Sequence, residues 1–422
     1  MTMISRVDAD WVLDSRALPT VEATVHLSDG RSAFAQAPSG ASKGRHESLE
    51  LRDGDPAHFR GKGVRSAIDQ VRDVISPALI GMDCVELEGL DARMIEIDGT
   101  PDRSRLGANA MVAVSAALAR AGAMVRGVEL WQHLAGPSPL IPLPMVNLFS
   151  GNLHAKGGMS IQDILVVPVG APDIETALEW VDDVYWSASD ILNERGASRL
   201  VGDEGGFGAP TPSSEAALAL SVEAIARAGR HPGAEVALAL DIAAAHLLQP
   251  DGSYVVDEMR LTTQDMIGTI KSWVDRYPIV SVEDALSEDD WGGWHRLATS
   301  IAGQVQVLGD DLLCTRIDRL ERAVETKCAN AVLVKANQIG TISEALAVAA
   351  RARELGARAV VSARSGETED DWLADLAVAS GAGQIKIGSV ARSERLAKYN
   401  RLLRISRSPS SPPWSGANGL LR

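Results

Sequence analysis

Cysteine is nearly missing from this chain. Among 422 residues there are three, Cys84, Cys314 and Cys328, an odd number with no CxxC spacing. They read as small buried thiols in a reducing compartment, not as a disulfide framework. Aromatic residues are also scarce, at 4%, so a core must be built from Ala, Val, Leu and Ile. Positive charge is in deficit: 41 Lys+Arg face 56 Asp+Glu, for a formal net charge of −15. That balance argues against a non-specific nucleic-acid binder, which needs a basic face. No apolar run reaches the ~18 residues of a membrane span. The most apolar helix-like stretch, Ala110 to Ala119, stops at Arg120, and Met1 to Arg6 lacks the basic-then-apolar pattern of a signal peptide. The expectation is a soluble cytoplasmic protein. Its 45% hydrophobic and 23% charged residues are those of an ordinary globular chain, long enough for a large core.

The first third differs from the rest. Val21 to Leu27 and Arg31 to Ala37 flank Asp29-Gly30, the signature of a β-hairpin. Helical periodicity follows over Val64 to Ile80, Leu87 to Ile97 and Ala108 to Val125. Strands followed by helices predict a small α+β domain. Gly136-Pro137-Ser138-Pro139, with Pro142 and Pro144, marks a boundary. Beyond it, short apolar strands alternate with helical stretches. Those strands are Val236 to Leu240, Ile279 to Val282, Val305 to Leu308, Ala331 to Val334, Ala359 to Ser362 and Gln384 to Ile387. Such strands are parallel and buried on both faces, and the remaining length fits one β/α barrel. The predicted division is 1–136, 137–405, and a loosely held Ser-, Pro- and Gly-rich tail, 406–422.

Each of these strands ends in charge. Asp241, Glu283, Asp310, Lys335, Arg364 and Lys386 follow one another at intervals close to a β/α unit. In a barrel, residues at strand C-terminal ends converge on one mouth. Three carboxylates together repel unless a cation holds them, and an oxygen-only set suits a hard ion such as Mg²⁺. The opposing Lys335, Arg364 and Lys386 would bind an anion, and one lysine could act as a base. Val201 to Gly206 is a glycine-flanked acidic stretch that close ligand approach or a plain turn would equally explain, Ser39 to Gly44 is a small-residue loop suited equally to a lid or to a structural turn, and His154 sits in a Gly-rich stretch.

From about Ile4 to Arg404 the sequence resembles the enolase (phosphopyruvate hydratase) family. The runs that carry the resemblance include Asp14-Ser15-Arg16 with Pro19 to Glu22, Pro38 to Ser42, and Glu50 to Asp55. Further runs are Val201 to Phe207, Lys335 with Asn337 to Gly340, Arg364 to Asp370, and Gly383 to Lys386. The resemblance implies a modified (β/α)8 TIM-type barrel behind a smaller α+β N-terminal domain, and a homodimer or larger homo-oligomer. It implies Mg²⁺-dependent loss of water from 2-phosphoglycerate, with two Mg²⁺ per site, the second arriving with substrate. In this sequence Asp241, Glu283 and Asp310 match the ligands of the first Mg²⁺, and Ser42 a contact to the second. Lys335 matches the base and Glu204 the acid that assists hydroxide departure. Lys386 matches the contact to the substrate carboxylate, Arg364 and Ser365 the phosphate binders, His154 the loop histidine near the phosphate, and Gln162 a further site position.

Several departures fall inside the site. Ala363 stands where the family has His, and Asp163 where it has Glu; Lys43 and Lys156 add charge to two loops; Ala17-Leu18 replaces Gly-Asn. Asp163 withdraws a catalytic carboxylate by one methylene, and about 1 Å of misplacement can cost ~10²-fold. More room at Ala363 and more positive charge at Lys43 and Lys156 predict a larger, more anionic substrate. A specialised enolase paralogue, for example one forming carboxyphosphonoenolpyruvate in phosphonate biosynthesis, is the expectation. The glycolytic enzyme is the alternative, and a non-catalytic scaffold the third reading.

Overall fold

The computed structural model describes residues 2–41, 43–155, 158–208, 210–301 and 303–420. The N-terminal part is a three-stranded antiparallel sheet of β1 (Ile4–Leu13), β2 (Pro19–Leu27) and β3 (Ser32–Gln36). The predicted hairpin is there. Gly30 takes φ +87° in its turn, a conformation costly for any residue with a Cβ. The helix Ala108–Arg126 packs across this sheet, and its alanines let backbone approach backbone. It is long and apolar enough to cross a membrane, but 83% of its apolar window is buried inside the fold, so it is a core helix. The helical stretch expected over 64–80 is interrupted: regular turns over Arg65–Gln70 and Ser76–Leu79 flank a wide π-type turn at Val71–Ile75. Pro77 lacks the N–H that would close the ladder there. β1 has no counterpart in the sequence reading.

The barrel is closed by eight strands. β4 (Leu143–Ser150), β5 (Asp163–Val167) and β6 (Ala237–Asp241) come first. A small hairpin, β7 (Tyr254–Val256) and β8 (Met259–Leu261), lies outside it. Then come β9 (Ile279–Glu283), β10 (Gln306–Gly309), β11 (Ala331–Val334), β12 (Arg358–Ser362) and β13 (Gln384–Lys386). The order around the wall is β4-β5-β6-β9-β10-β11-β12-β13. The barrel strands from β6 onward agree with the sequence reading to within a residue or two; β4, β5 and the β7–β8 hairpin were not legible from it. β5 runs antiparallel to both neighbours and all other pairs are parallel. Its first residue, Asp163, therefore lies at the mouth where the other strands end. The interior is filled by Leu143, Met145, Leu165, Leu308, Leu333 and Val360. A polar layer crosses it: Gln306 Nε2 donates to Ser281 Oγ at 3.1 Å and Gln384 Nε2 to Gln306 Oε1 at 2.8 Å.

The tail differs from expectation. Through Leu420 it is packed across the barrel end opposite the site. Trp414 pairs with Ile141 in a parallel bridge, and its Nε1 donates to the Ala171 carbonyl at 2.9 Å. Gln384 Nε2 reaches the Gly419 carbonyl at 2.9 Å, and Leu420 is buried against the barrel interior. The tail's composition signals chain flexibility, yet the open barrel end offers apolar surface that outweighs the ordering cost. Trp414→Ala is expected to lower the unfolding free energy by about 2–3 kcal/mol, from lost indole burial and one hydrogen bond. Urea denaturation of the two chains checks this.

Candidate functional site

The ends of the strands converge as their spacing requires. Lys386, the last residue of β13, puts Nζ 2.7 Å from Asp241 Oδ2 and 2.9 and 2.8 Å from Glu283 Oε1 and Oε2. Lys335, just beyond β11, pairs with Asp310 Oδ2. Gln338 Nε2 holds the other oxygen of Asp310 at 2.8 Å, and Gln162 Nε2 donates to Asp241 Oδ2 at 3.0 Å. All three carboxylates are buried. Burial, then repulsion from Asp241, push the Glu283 carboxyl up to about 8. Burial opposes charge on both lysines, but Asp310 beside Lys335, and Asp241 with Glu283 beside Lys386, raise each above the ordinary lysine value.

On the other side of the mouth lie His154, Asp163 and Glu204. The loop carrying His154 follows β4, and Gly202 packs against its backbone: a Cβ there would lie 2.8 Å from the His154 carbonyl oxygen. This close approach brings Glu204 Oε1 within 3.9 Å of His154 Nε2. Asn147 Nδ2 donates to Glu204 Oε2 at 3.0 Å. Asp163 has no exposed surface and sits behind the histidine. Its Oδ2 lies 3.0 Å from His154 Nδ1, and its Oδ1 accepts from Ser150 Oγ at 2.6 Å. Burial alone would lower the imidazole, but Asp163 and Glu204 outweigh it and push His154 up to about 9.

The third part of the site comes from both domains. Ser39 and Gly366 exchange backbone hydrogen bonds at 2.7 and 2.9 Å. A Cβ on Gly366 would lie 2.6 Å from both Asp14 Oδ2 and the Ser39 carbonyl oxygen, so only glycine permits this contact. It brings the Ala41 N–H to 2.9 Å from Ser365 Oγ. Arg364 Nη1 donates to Glu47 Oε2 at 3.0 Å and to Asn337 Oδ1 at 2.9 Å. Arg395, with no exposed surface, donates to the carbonyls of Arg364 and Ser365, both at 2.6 Å, and fixes the turn from behind.

One small polar pocket is thus lined by His154, Gln162, Glu204, Asp241, Asp310, Lys335, Ala363, Arg364, Ser365 and Lys386. Glu283 lies beneath Lys386. Asp163, expected as a catalytic group, is off the pocket wall because its shorter side chain is taken up by His154 and Ser150. Lys43, expected toward the ligand, instead pairs with Glu50 Oε2 at 3.2 Å, drawn there by a buried carboxylate. Ser42 and Lys156 lie outside the described residues. The sequence reading missed Asn147, Glu47 and Arg395. Asn147 and Glu47 are single polar residues with no strand-end position to betray them, and Arg395 reaches the site only through backbone carbonyls.

A barrel mouth that gathers three buried carboxylates, two lysines and an arginine-serine turn is suited to one class of chemistry, metal-assisted acid–base elimination. Two family models match the chain, the enolase N-terminal domain over residues 4–134 and the enolase C-terminal TIM barrel domain over 138–418. A protein named Enolase, from Mycobacteroides abscessus, is 48% identical over 406 residues, covering 96% of this chain and 94% of that protein. The chain belongs to the enolase family and is a hydro-lyase of the enolase type.

That family implies Mg²⁺, and the residues fit it. Asp241, Glu283 and Asp310 offer only carboxylate oxygens, held against mutual repulsion at one place. Beside them the buried Gln162 Oε1 has no hydrogen-bond partner among the described residues. Unshared negative charge and an unused acceptor are what a hard cation and its attached groups would satisfy.

The His154–Asp163 pair gives a pH signature. The imidazole is charged below about 9 and neutral above it. A raised value means that its contribution to stability is full below the ordinary ~6.5 and is lost as pH rises through about 9. Asp163→Asn is expected to move the His154 titration to lower pH and to reduce turnover by about 10²-fold. Proton NMR titration of the imidazole, with steady-state rates across the same pH range, measures both.

Proposed function

We propose that the substrate is 2-phosphoglycerate and that the product is phosphoenolpyruvate. The observation that carries this reading is the pairing of Lys335 with Asp310 across the pocket from Glu204, with an anion-binding turn at Arg364-Ser365 between the domains. Lys335 takes the C2 proton, Glu204 gives a proton to the departing C3 hydroxyl, and the C2–H and C3–O bonds give way to a double bond and water. Burial opposes charge on Glu204, but His154 and the nearby cations hold its carboxyl below the ordinary value, so it must first take up the proton it donates. Lys386 meets the substrate carboxylate, while Arg364, Ser365 and His154 meet the phosphate. Mg²⁺ held by Asp241, Glu283 and Asp310 would supply the positive charge that tolerates a second negative charge beside a carboxylate. Lys335 is charged while Asp310 is its partner, so it becomes a base only when that carboxylate is otherwise engaged. The proposal includes a cytoplasmic enzyme acting as a homodimer or larger homo-oligomer, which sedimentation would test.

A second substrate reading is favoured by Ala363. It lines the pocket between Ser362 and Arg364, and its methyl group is smaller than the imidazole that the family pattern has there. A bulkier acid, such as a carboxyphosphono analogue, would use that difference in size. Lys43 no longer supports this reading, because its charge is met by Glu50.

The test is ultraviolet detection of the enol product from 2-phosphoglycerate, with Mg²⁺ and with excess chelator. Fast, chelator-sensitive turnover that Lys335→Met reduces by about 10³-fold or more is the expected result. Slow turnover by the folded chain, together with faster turnover of the carboxyphosphono analogue that Ala363→His removes, would overturn it for the second reading.

A further inference from the structure

One buried carboxylate at the mouth is used by none of the chemistry above. Glu47 has a side chain only 6% exposed. It grips Arg364 with both oxygens, Oε2 at 3.0 Å from Nη1 and Oε1 at 3.3 Å from Nη2. Its Oε1 also accepts from the Gly44 backbone N–H at 3.0 Å and from Gln338 Nε2 at 3.2 Å. The same Gln338 amide donates to Asp310 at 2.8 Å. Gly44 is itself seated on the barrel: a Cβ there would lie 2.8 Å from Cys314 Sγ and 3.0 Å from Asp311 Oδ1.

A simple ion pair needs only Arg364. Here the remaining acceptor positions of the carboxylate take a backbone N–H of the N-terminal segment and the amide that steadies Asp310. A two-point grip fixes the plane of the guanidinium, while Nη1 also donates to Asn337 Oδ1 at 2.9 Å. Any shift of Arg364 toward an anion is therefore transmitted to Gly44 and Gln338. We propose that Glu47 is a positioning residue for the anion subsite, orienting Arg364 and coupling occupation of that subsite to the 44–48 segment. This rests on the reading of Arg364 as a phosphate binder.

The experiment follows amide hydrogen exchange of residues 44–50 in the full chain, with and without inorganic phosphate, for the native protein and for Glu47→Gln and Glu47→Ala. In the native chain phosphate is expected to slow exchange about tenfold, a typical coupling between linked sites. In Glu47→Gln, which keeps the shape of the side chain, the effect should fall below about twofold, with exchange in the helix Ala108–Arg126 unchanged. KM for 2-phosphoglycerate should rise more than kcat falls. A phosphate effect that survives undiminished in Glu47→Gln, or that is absent from the native chain, overturns the proposal. A native chain that shows the effect yet does not turn over 2-phosphoglycerate leaves the coupling standing and removes only the substrate reading. If Glu47→Ala does not fold, Glu47→Gln alone decides.

Discussion

Everything at the barrel mouth answers to one constraint: too many carboxylates are buried in one place. Asp241, Glu283 and Asp310 are inside the protein, and water cannot screen them. Breaking a buried charge pair by deleting one partner typically costs about 3–5 kcal/mol, a large share of a domain's stability. The chain meets this with Lys386 between Asp241 and Glu283, and Lys335 against Asp310. The compensation is incomplete, since three carboxylates face two ammonium groups and the Glu283 carboxyl is still pushed up to about 8. A site built this way retains an appetite for a cation. The same groups that hold the site together are those that a cation and an anionic substrate would engage, so stability and chemistry draw on one set of charges.

The frame around these charges is set by two departures from a plain barrel. The reversed β5 brings its first residue, with Gln162 before it, to the mouth that other strands reach with their last. The Gly366–Ser39 contact then lets the N-terminal domain supply one wall. Arg395 completes the arrangement from beneath by holding the Arg364 and Ser365 carbonyls. The Arg364-Ser365 turn is therefore not a loop left to itself. It is fixed on three sides, by the N-terminal domain, by Glu47 and by a buried arginine, the rigidity that the proposed phosphate site would need.

The parallel strands from β6 onward were legible because each is a short apolar run closed by a charged residue, and the period between those residues is that of a β/α unit. That regularity also exposed Asp241, Glu283, Asp310, Lys335, Arg364 and Lys386 as one group. β4 and β5 were not legible, because the connections around them contain no helix between the two strands and the reversal of β5 removes the strand-end rule. Gln162 and Asp163 came from family resemblance alone for that reason. The tail misled because composition reports the freedom of an isolated segment and not the apolar barrel end that awaits it. Lys43 misled because a surface loop lysine carries no sign of the buried carboxylate it will find, and Glu50 lies several residues along the chain in a run that reads as a loop.

Two departures lie close to the pocket, Asp163 behind His154 and Ala363 on the wall itself. Shortening a carboxylate by one methylene would leave a cavity if nothing moved. Here the shorter group is satisfied without reaching the pocket: Ser150 takes one oxygen and His154 the other. Against the effect of burial, Asp163 and Glu204 together favour the protonated imidazole of His154, whose Nε2 lies 3.9 Å from Glu204 Oε1. Ala363 meanwhile gives up an imidazole on the opposite wall. The net result is one cationic histidine held by a buried acid, where the family pattern has two histidines and a longer acid. His154 is thus held at both ring nitrogens, by Asp163 at Nδ1 and beside Glu204 at Nε2, so a buried acid off the pocket wall fixes the orientation of an imidazole on it.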